Sequence, residues 1–381
     1  MNKSFKHFDL RLVTPAFDSR ATDLIIELDY LRRNVPHGTT PRNIFFQIKD
    51  IFHMLESIGS ARIEGNRTTI LEYIESKIEK QDHYPEPFRE IENMERALNF
   101  IDGHIDDYPT LPRSFLSELH KIAVNDLTED GSRNPGEYRS TRVKIQEANL
   151  VTPDSSQVSI YMDELLNFIN QNVPQKYDLI KTALVHHRFA WIHPFDNGNG
   201  RTVRLLTYAM LVKQGFRVQL ARILNPTAVF CCDRKKYYDS LARADSGDDE
   251  GLLEWCIYVL EGLKREITKV DRVSDYSFVK SKILLPALNF ARERKFVTDI
   301  EHRILRLAID KEGFKNSDIR SIFPENSIVE ISNIIKKLRD KRMIVPQKTH
   351  GRKYEIRFDN NYLLRGIIDA LGGNDFLPVK N

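Results

Sequence analysis

The chain has 381 residues, of which 41% are hydrophobic and 29% charged, with a net charge of +3, an ordinary soluble composition with room for two or three domains. No apolar run approaches the roughly eighteen residues of a membrane span, and the start MNKSFKHFDLRLV lacks the apolar stretch of a secretion signal, so the cytosol is the expected compartment. Cys231, Cys232 and Cys256 are expected to be reduced, because sequence neighbours such as the first two rarely bridge.

Residues 1 to about 95 read as a partly extended start followed by a long amphipathic helix with apolar residues at 44, 48, 51, 55 and 58. Gly65 suits a left-handed cap at its end, which puts Glu64 in the last turn, against the negative end of the helix dipole. That placement is unfavourable by roughly a few tenths of a kcal/mol unless a cation meets the carboxylate. A solvated surface glutamate is the alternative on pattern alone. The linker QDHYPEPF at 81–88 leads to a core over 96–265, with helices expected at 113–126, 158–171, 177–192, 200–214 and 249–270. Within it, NPGEYRSTRVKIQ at 134–146 gives a turn signal and then an alternation over residues 142–145, which predicts a short exposed strand or hairpin. His186 and His187 sit on an apolar helix with no HExxH or Cys/His spacing around them, which favours packing or hydrogen bonding over metal binding.

Residues 193–204, HPFDNGNGRTVR, concentrate the chemistry. Glycines around Asn199 let backbone N–H groups converge on an anion, a helix start adds partial positive charge, and Arg201 and Arg204 lie on neighbouring helix faces, where guanidinium groups grip phosphate oxygens. His193 is then a candidate general base beside a phosphate cradle. A Walker A loop, GxxxxGK followed by Ser or Thr, is absent from the sequence.

This string resembles the signature of the Fic family, HPFx(D/E)GNGRxxR, at every specified position except Asn197, where the family usually carries the carboxylate that holds magnesium. An asparagine oxygen still ligates a hard cation but brings no charge, so Mg²⁺ binding through Asn197 is expected to be weak. The resemblance implies a protein adenylyltransferase that moves AMP from ATP to a Ser, Thr or Tyr hydroxyl. His193 would be the base, and Asn197, Gly198, Asn199, Gly200, Arg201 and Arg204 would hold the nucleotide. Ser60, Glu64 and Gly65 resemble the family's inhibitory motif (S/T)xxxE(G/N), which implies that Glu64 pairs with Arg204. Val143, Lys144, Ile145 and Gln146 resemble the flap that docks a target's extended segment by strand pairing. Tyr237, Tyr238 and Asp245 resemble the adenine side, where an Asn is more usual than Asp245; helix packing explains the same three residues. The resemblance covers about two thirds of the chain.

Residues 299–358 form a separate pattern of three amphipathic stretches and two short apolar runs around a basic turn, in the order of a winged helix. Residues 279–358 hold 19 Lys and Arg against 10 Asp and Glu, so the basic charge is concentrated at this end. Lys336, Lys337, Arg339, Lys341 and Arg342 near the third helix and Arg352 and Lys353 in the turn fit DNA contact, a protein-docking surface, or solvated charge. The expected fold is mainly α: an N-terminal region over 1–95 with the inhibitory helix, a Fic core over 96–265 with a short β-hairpin flap, a winged-helix-like α+β domain over 275–360, and a tail over 361–381. The partners to expect are ATP, a target protein or the chain itself, a second copy as a homodimer, and DNA. Removal of AMP using Glu64, or DNA-binding regulation with a nucleotide-sensing core, are the rival functions.

Overall fold

The computed structural model describes residues 5–33, 38–79, 85–143, 145, 150–216, 226–347, 351, 353–359 and 361–378. The first helices are α1 (Arg20–Arg33), α2 (Arg42–Ile63), α3 (Ile70–Glu79), α4 (Glu86–His104) and α5 (Arg113–Ala123). Next come α6 (Val158–Asn170), α7 (Asp178–Ile192), α8 (Asn199–Lys213), α9 (Thr227–Cys231), α10 (Arg234–Ala244) and α11 (Asp249–Asp271). The last are α12 (Tyr276–Phe278), α13 (Leu285–Glu293), α14 (Asp299–Asp310), α15 (Asn316–Ile322), α16 (Ile328–Asp340) and α17 (Leu363–Gly372). Three strands, β1 (Phe314–Lys315), β2 (Ile344–Pro346) and β3 (Lys353–Ile356), and several short 3-10 turns and a π-helical turn over Val279–Leu284 accompany them. None of the described helices is long and apolar enough to cross a membrane.

The chain divides into two compact units. The first comprises Met1–Val35, His53–Thr68 and Tyr84–Lys269, and is all helical among the described residues. Its centre is the antiparallel pair α7 and α8, joined by the loop 193–198. Nearly every residue of both helices is buried, so neither has a polar face to turn outward, and the other helices have to wrap around them. Helices α4 and α5 pack on α8 and α6 packs on α7. The indole of Trp255 is fully buried and satisfies its N–H on Ala183 O at 2.7 Å.

The second unit is built from Pro36–Phe52, Thr69–His83 and Val270–Asn381. Its order from α14 onward is helix, strand, helix, helix, strand, strand, and the strands pair antiparallel as β1-β3-β2. Ile344 lies opposite Ile356 and Phe314 opposite Tyr354. Capping boxes fix the starts of α14 (Thr298 with Glu301) and α16 (Ser327 with Glu330). Segment 361–378, beyond the sequence-read domain, contains α17, which packs so closely on α13 that a β-carbon at Gly366 would meet Ala287 O at 2.5 Å. In this unit Asn43 Nδ2 donates to Glu355 at 2.8 Å, Gln47 bridges Ile356 O and Phe358 N, and Phe52 meets Phe376 edge-on.

Candidate active site

Helix α7 ends on His193, whose backbone is left-handed at φ 52° and ψ 61°. For a residue with a Cβ this conformation needs outside support. It comes from Arg139, whose Nε donates to His193 O at 2.8 Å and whose backbone N–H donates to Pro194 O at 2.8 Å. His193 Nδ1 faces Ala190 O at 3.3 Å, so the ring proton belongs on Nδ1 and the lone pair on Nε2. Burial pushes the imidazole down to about 4, against the smaller opposing pull of Ala190 O and the Glu64 carboxylate. The ring is therefore neutral at pH 7, the form a base needs.

The loop that follows is held from inside. Asn199 accepts from Phe195 N and donates to Phe195 O, both at 2.9 Å. His120 stacks on Phe195 with centroids 3.7 Å apart, takes Gly136 N–H on Nδ1 and gives its Nε2 proton to Asn197 O at 3.0 Å. Both ring nitrogens are thereby used in the neutral form, in keeping with a pKa lowered by burial to about 4. Asp196 is consumed by Ser132 Oγ, Arg133 N and Asn197 N, and it does not stand in for the carboxylate missing at 197. Gly198 is left-handed at φ 73°, and a β-carbon there would strike Val124.

Arg201 and Arg204 both point inward from the first turns of α8 and are almost fully buried. Arg201 donates to Asp130 O at 2.6 Å and Ala123 O at 3.3 Å and lies 3.4 Å from Glu90. Arg204 donates from Nε to Ser60 Oγ at 2.8 Å and from Nη2 to Glu64 Oε1 at 2.7 Å. Burial alone would raise Glu64, but the charge and hydrogen bond of Arg204 outweigh it and leave the carboxyl below its ordinary value. The carboxylate also sits directly over the start of α8, where a β-carbon on Gly200 would collide with Glu64 Oε1. So the cation that the sequence asks for beside Glu64 is supplied by Arg204, and a helix N-terminus faces it as well. Helix α2 ends at Ile63, one residue earlier than read, with Gly65 at φ 109° turning the chain away.

One cavity of about 530 Å³ gathers Glu64, His193, Asn197–Arg201, Arg204, Tyr237, Tyr238 and Asp245, with Val143, Ile145 and Leu150 along its edge. Ser60 stands behind Arg204 and Gly65 caps the helix, so neither lines the space. Tyr237 is buried and hydrogen-bonds His186 Nε2 at 2.9 Å, while His186 Nδ1 meets Thr207 Oγ1 at 2.7 Å, so this histidine is a packing and hydrogen-bonding residue. His187 Nε2 meets Asp245 Oδ1 at 3.0 Å, a pairing across the cavity wall that residue spacing does not signal. Of the flap residues, Lys144 and Gln146 lie outside the described residues, as does 147–149, so the expected strand or hairpin falls largely there; the described residues 134–143 form turns and bends. Arg139 and His120 are the positions that the sequence reading missed; the quoted segment NPGEYR contains the first, but nothing local says where its side chain goes.

A histidine at a strained helix end, followed by a glycine-rich anion cradle and two inward arginines of one helix, defines a Fic-type core. Residues 110–211 match the Fic/DOC family, so this part of the chain is a Fic domain. It is 27% identical over 233 residues to a protein adenylyltransferase Fic of Nematostella vectensis, covering 56% of this chain and 48% of that protein. It is also 27% identical over 205 residues to the protein of the same description from Aedes aegypti, covering 52% of this chain and 38% of that one. The chain thus spans less than half the length of these relatives. A Fic family protein from Desulfovibrio desulfuricans G20 has a similar fold, with TM-score 0.54 and 21% identity over 92% of this chain and 98% of that one.

Proposed function

We propose that this protein transfers AMP from ATP to a hydroxyl of a target protein, or of itself, and that Glu64 holds it inhibited. The observation that carries the reading is the buried Arg204 shared between Ser60 and Glu64 at the rim of the anion cradle, in the same cavity as a neutral His193. Nε2 of His193 would take the proton of the attacking hydroxyl as its oxygen bonds to the α-phosphorus and pyrophosphate leaves. Backbone N–H groups at the start of α8 would hold phosphate oxygens, and Arg204 would clamp the terminal phosphate once Glu64 withdraws. Among the described residues no group of three or more His, Cys, Asp or Glu side chains could cage a metal ion. The donors therefore fit a magnesium carried chiefly by the phosphates, with Asn197 Oδ1 adding one neutral oxygen. Such an ion would offset phosphate charge.

The test is transfer of label from α-labelled ATP to protein by wild type and Glu64→Gly across a magnesium series. A charged, partly buried hydrogen bond is worth about 1.5 to 3 kcal/mol, so release should give roughly a 10 to 100-fold gain. Equal rates at saturating metal would reject autoinhibition. Release of AMP from a modified target that depends on Glu64 would favour the hydrolase instead.

A second reading concerns the second unit, whose α14 to β3 has the element order of a winged helix. It is supported by α16, where Ser332, Asn333, Lys336, Lys337 and Arg339 are exposed along with Ile328 and Val329 at 60% and 69%. Lys341, by contrast, is bound to Glu301 at 2.8 Å, and Arg352 lies outside the described residues. We infer that this face contacts duplex DNA. Three phosphate contacts give a log–log salt slope near −3, so raising salt from about 50 to 200 mM should weaken binding roughly 40-fold. Replacing Lys336 and Lys337 by Glu should remove the binding; a salt-independent signal would reject it.

A further inference from the structure

Arg139 belongs to no helix or strand, yet it is only 5% exposed. Its four side-chain hydrogen bonds all end on backbone carbonyls: Nε on His193 O at 2.8 Å, Nη1 on Thr141 O at 2.9 Å, and Nη2 on Pro153 O at 2.7 Å and Ile192 O at 3.4 Å. Its backbone N–H adds a fifth, to Pro194 O. Thr141 and Pro153 flank residues 142–152 in sequence. Between them Thr152 Oγ1 meets Val143 O at 3.4 Å, and Val143, Ile145 and Leu150 line the cavity. The guanidinium thus ties Thr141 and Pro153 to the carbonyls before and at the left-handed turn, and the backbone N–H of Arg139 adds the carbonyl after it. A buried arginine costs free energy unless its donors are satisfied, so these carbonyls have to stay converged on it.

We propose that Arg139 is a positioning residue that makes Thr141, Pro153 and the His193 turn a single rigid unit. A peptide segment lying along Val143 and Ile145 then presents its hydroxyl in register with Nε2 of His193. The inference rests on the reading of His193 as base and names what aligns it with the target. It separates two jobs of the cavity: the nucleotide is held by α8 and the wall opposite, while alignment of the acceptor runs through a residue that touches neither nucleotide nor acceptor. An ammonium cannot replace the fork, because it has no planar set of donors to reach three separate stretches of chain.

The experiment uses the full chain with Glu64→Gly as parent, and adds Arg139→Lys and Arg139→Gln. Both are expected to bind ATP within about twofold of the parent, since Arg139 does not line the cavity. Both should lose about 10 to 100-fold in kcat for transfer, as displacements of about an ångström between reacting groups typically cost. Amide hydrogen exchange supplies a readout independent of turnover: residues 140–143, 150–152 and 193–195 should all exchange faster, together. Either of two results overturns the inference: kcat within about twofold of the parent, or faster exchange confined to one of the two regions. A loss of ATP affinity as large as the loss of kcat also overturns it, because it would mark general loosening. A parent that transfers no AMP counts against the proposed reaction alone, and the exchange result then decides the coupling by itself.

Discussion

At the scale of single residues the site depends on where protons reside. His193 is neutral well below the ordinary histidine range because burial outweighs the pull of Glu64 and Ala190 O. A base with its pKa near 4 is fully deprotonated at pH 6 and at pH 8, so kcat/KM of the Glu64→Gly protein should stay flat between them. Removing Glu64 takes away one of the groups that raise the pKa, which pushes any acid limb further down. A limb near pH 6.5 would show that the imidazole is solvated in the working state. His193→Ala is expected to lose about 10² to 10⁴-fold in transfer while keeping ATP affinity, measured by titration calorimetry. An unchanged transfer rate would remove His193 from the chemistry. The residues of the signature were legible because each type is committed to one chemistry. Asp196, His120 and Arg139 were not, since what defines them is a partner distant in sequence.

At the scale of elements, helical periodicity placed α5, α6, α7, α8 and α11 to within three residues at either end, because their apolar stripes and boundaries are local features. The run expected to form the flap strand falls largely outside the described residues, while the turn before it is held by partners that no local pattern signals: Arg133 N donates to Asp196, Gly136 N to His120 and Arg139 to Thr141 O. Helix α2 carries a further feature that pattern does not show. Glu56, one turn before Ser60 and two before Glu64, is 1% exposed and accepts from both Thr227 N and Oγ1, at 3.1 and 2.7 Å. Burial raises its carboxyl to about 8, helped by the neighbouring charge of Glu266 and opposed by the Thr227 bonds and by Arg204. The folded state therefore keeps a proton that the unfolded state gives up near pH 4.5. Stability from this group is lost as pH rises from that value and levels off above about 8, by an order of a few kcal/mol. Glu56→Gln retains an acceptor for Thr227 and should flatten this dependence in denaturant titrations at pH 5, 7 and 8.5. An identical pH slope in both proteins would show that Glu56 does not carry it.

At the scale of the whole molecule, neither compact unit is a continuous piece of sequence. The second is completed by residues 36–52 and 69–83, which chain order assigns to the N-terminal region. Linear reading misses this because what joins Asn43 to Glu355 and Phe52 to Phe376 is tertiary contact across some three hundred positions, with no local signature. A truncation after residue 269 therefore leaves residues 43–52 without their partners. Their amides are expected to exchange at least about tenfold faster, the equivalent of one or two lost hydrogen bonds, while those of α7 and α8 keep their protection. Unchanged protection at 43–52 would show that the first half of α2 stands without the C-terminal third.

The missing methyl at Gly200 leaves room for one anion at the start of α8, and in this structure the protein's own Glu64 occupies it. On the proposed reading this turns inhibition into a dose response. If the pair with Arg204 is worth about 2 kcal/mol, only about one molecule in thirty is open at any moment, and productive half-saturation moves about thirtyfold up in nucleotide concentration. Such a protein would read how much triphosphate the cell has to spare. Anything that pulled the end of α2 a few ångströms away would reset that threshold, with no residue of the catalytic loop having to change.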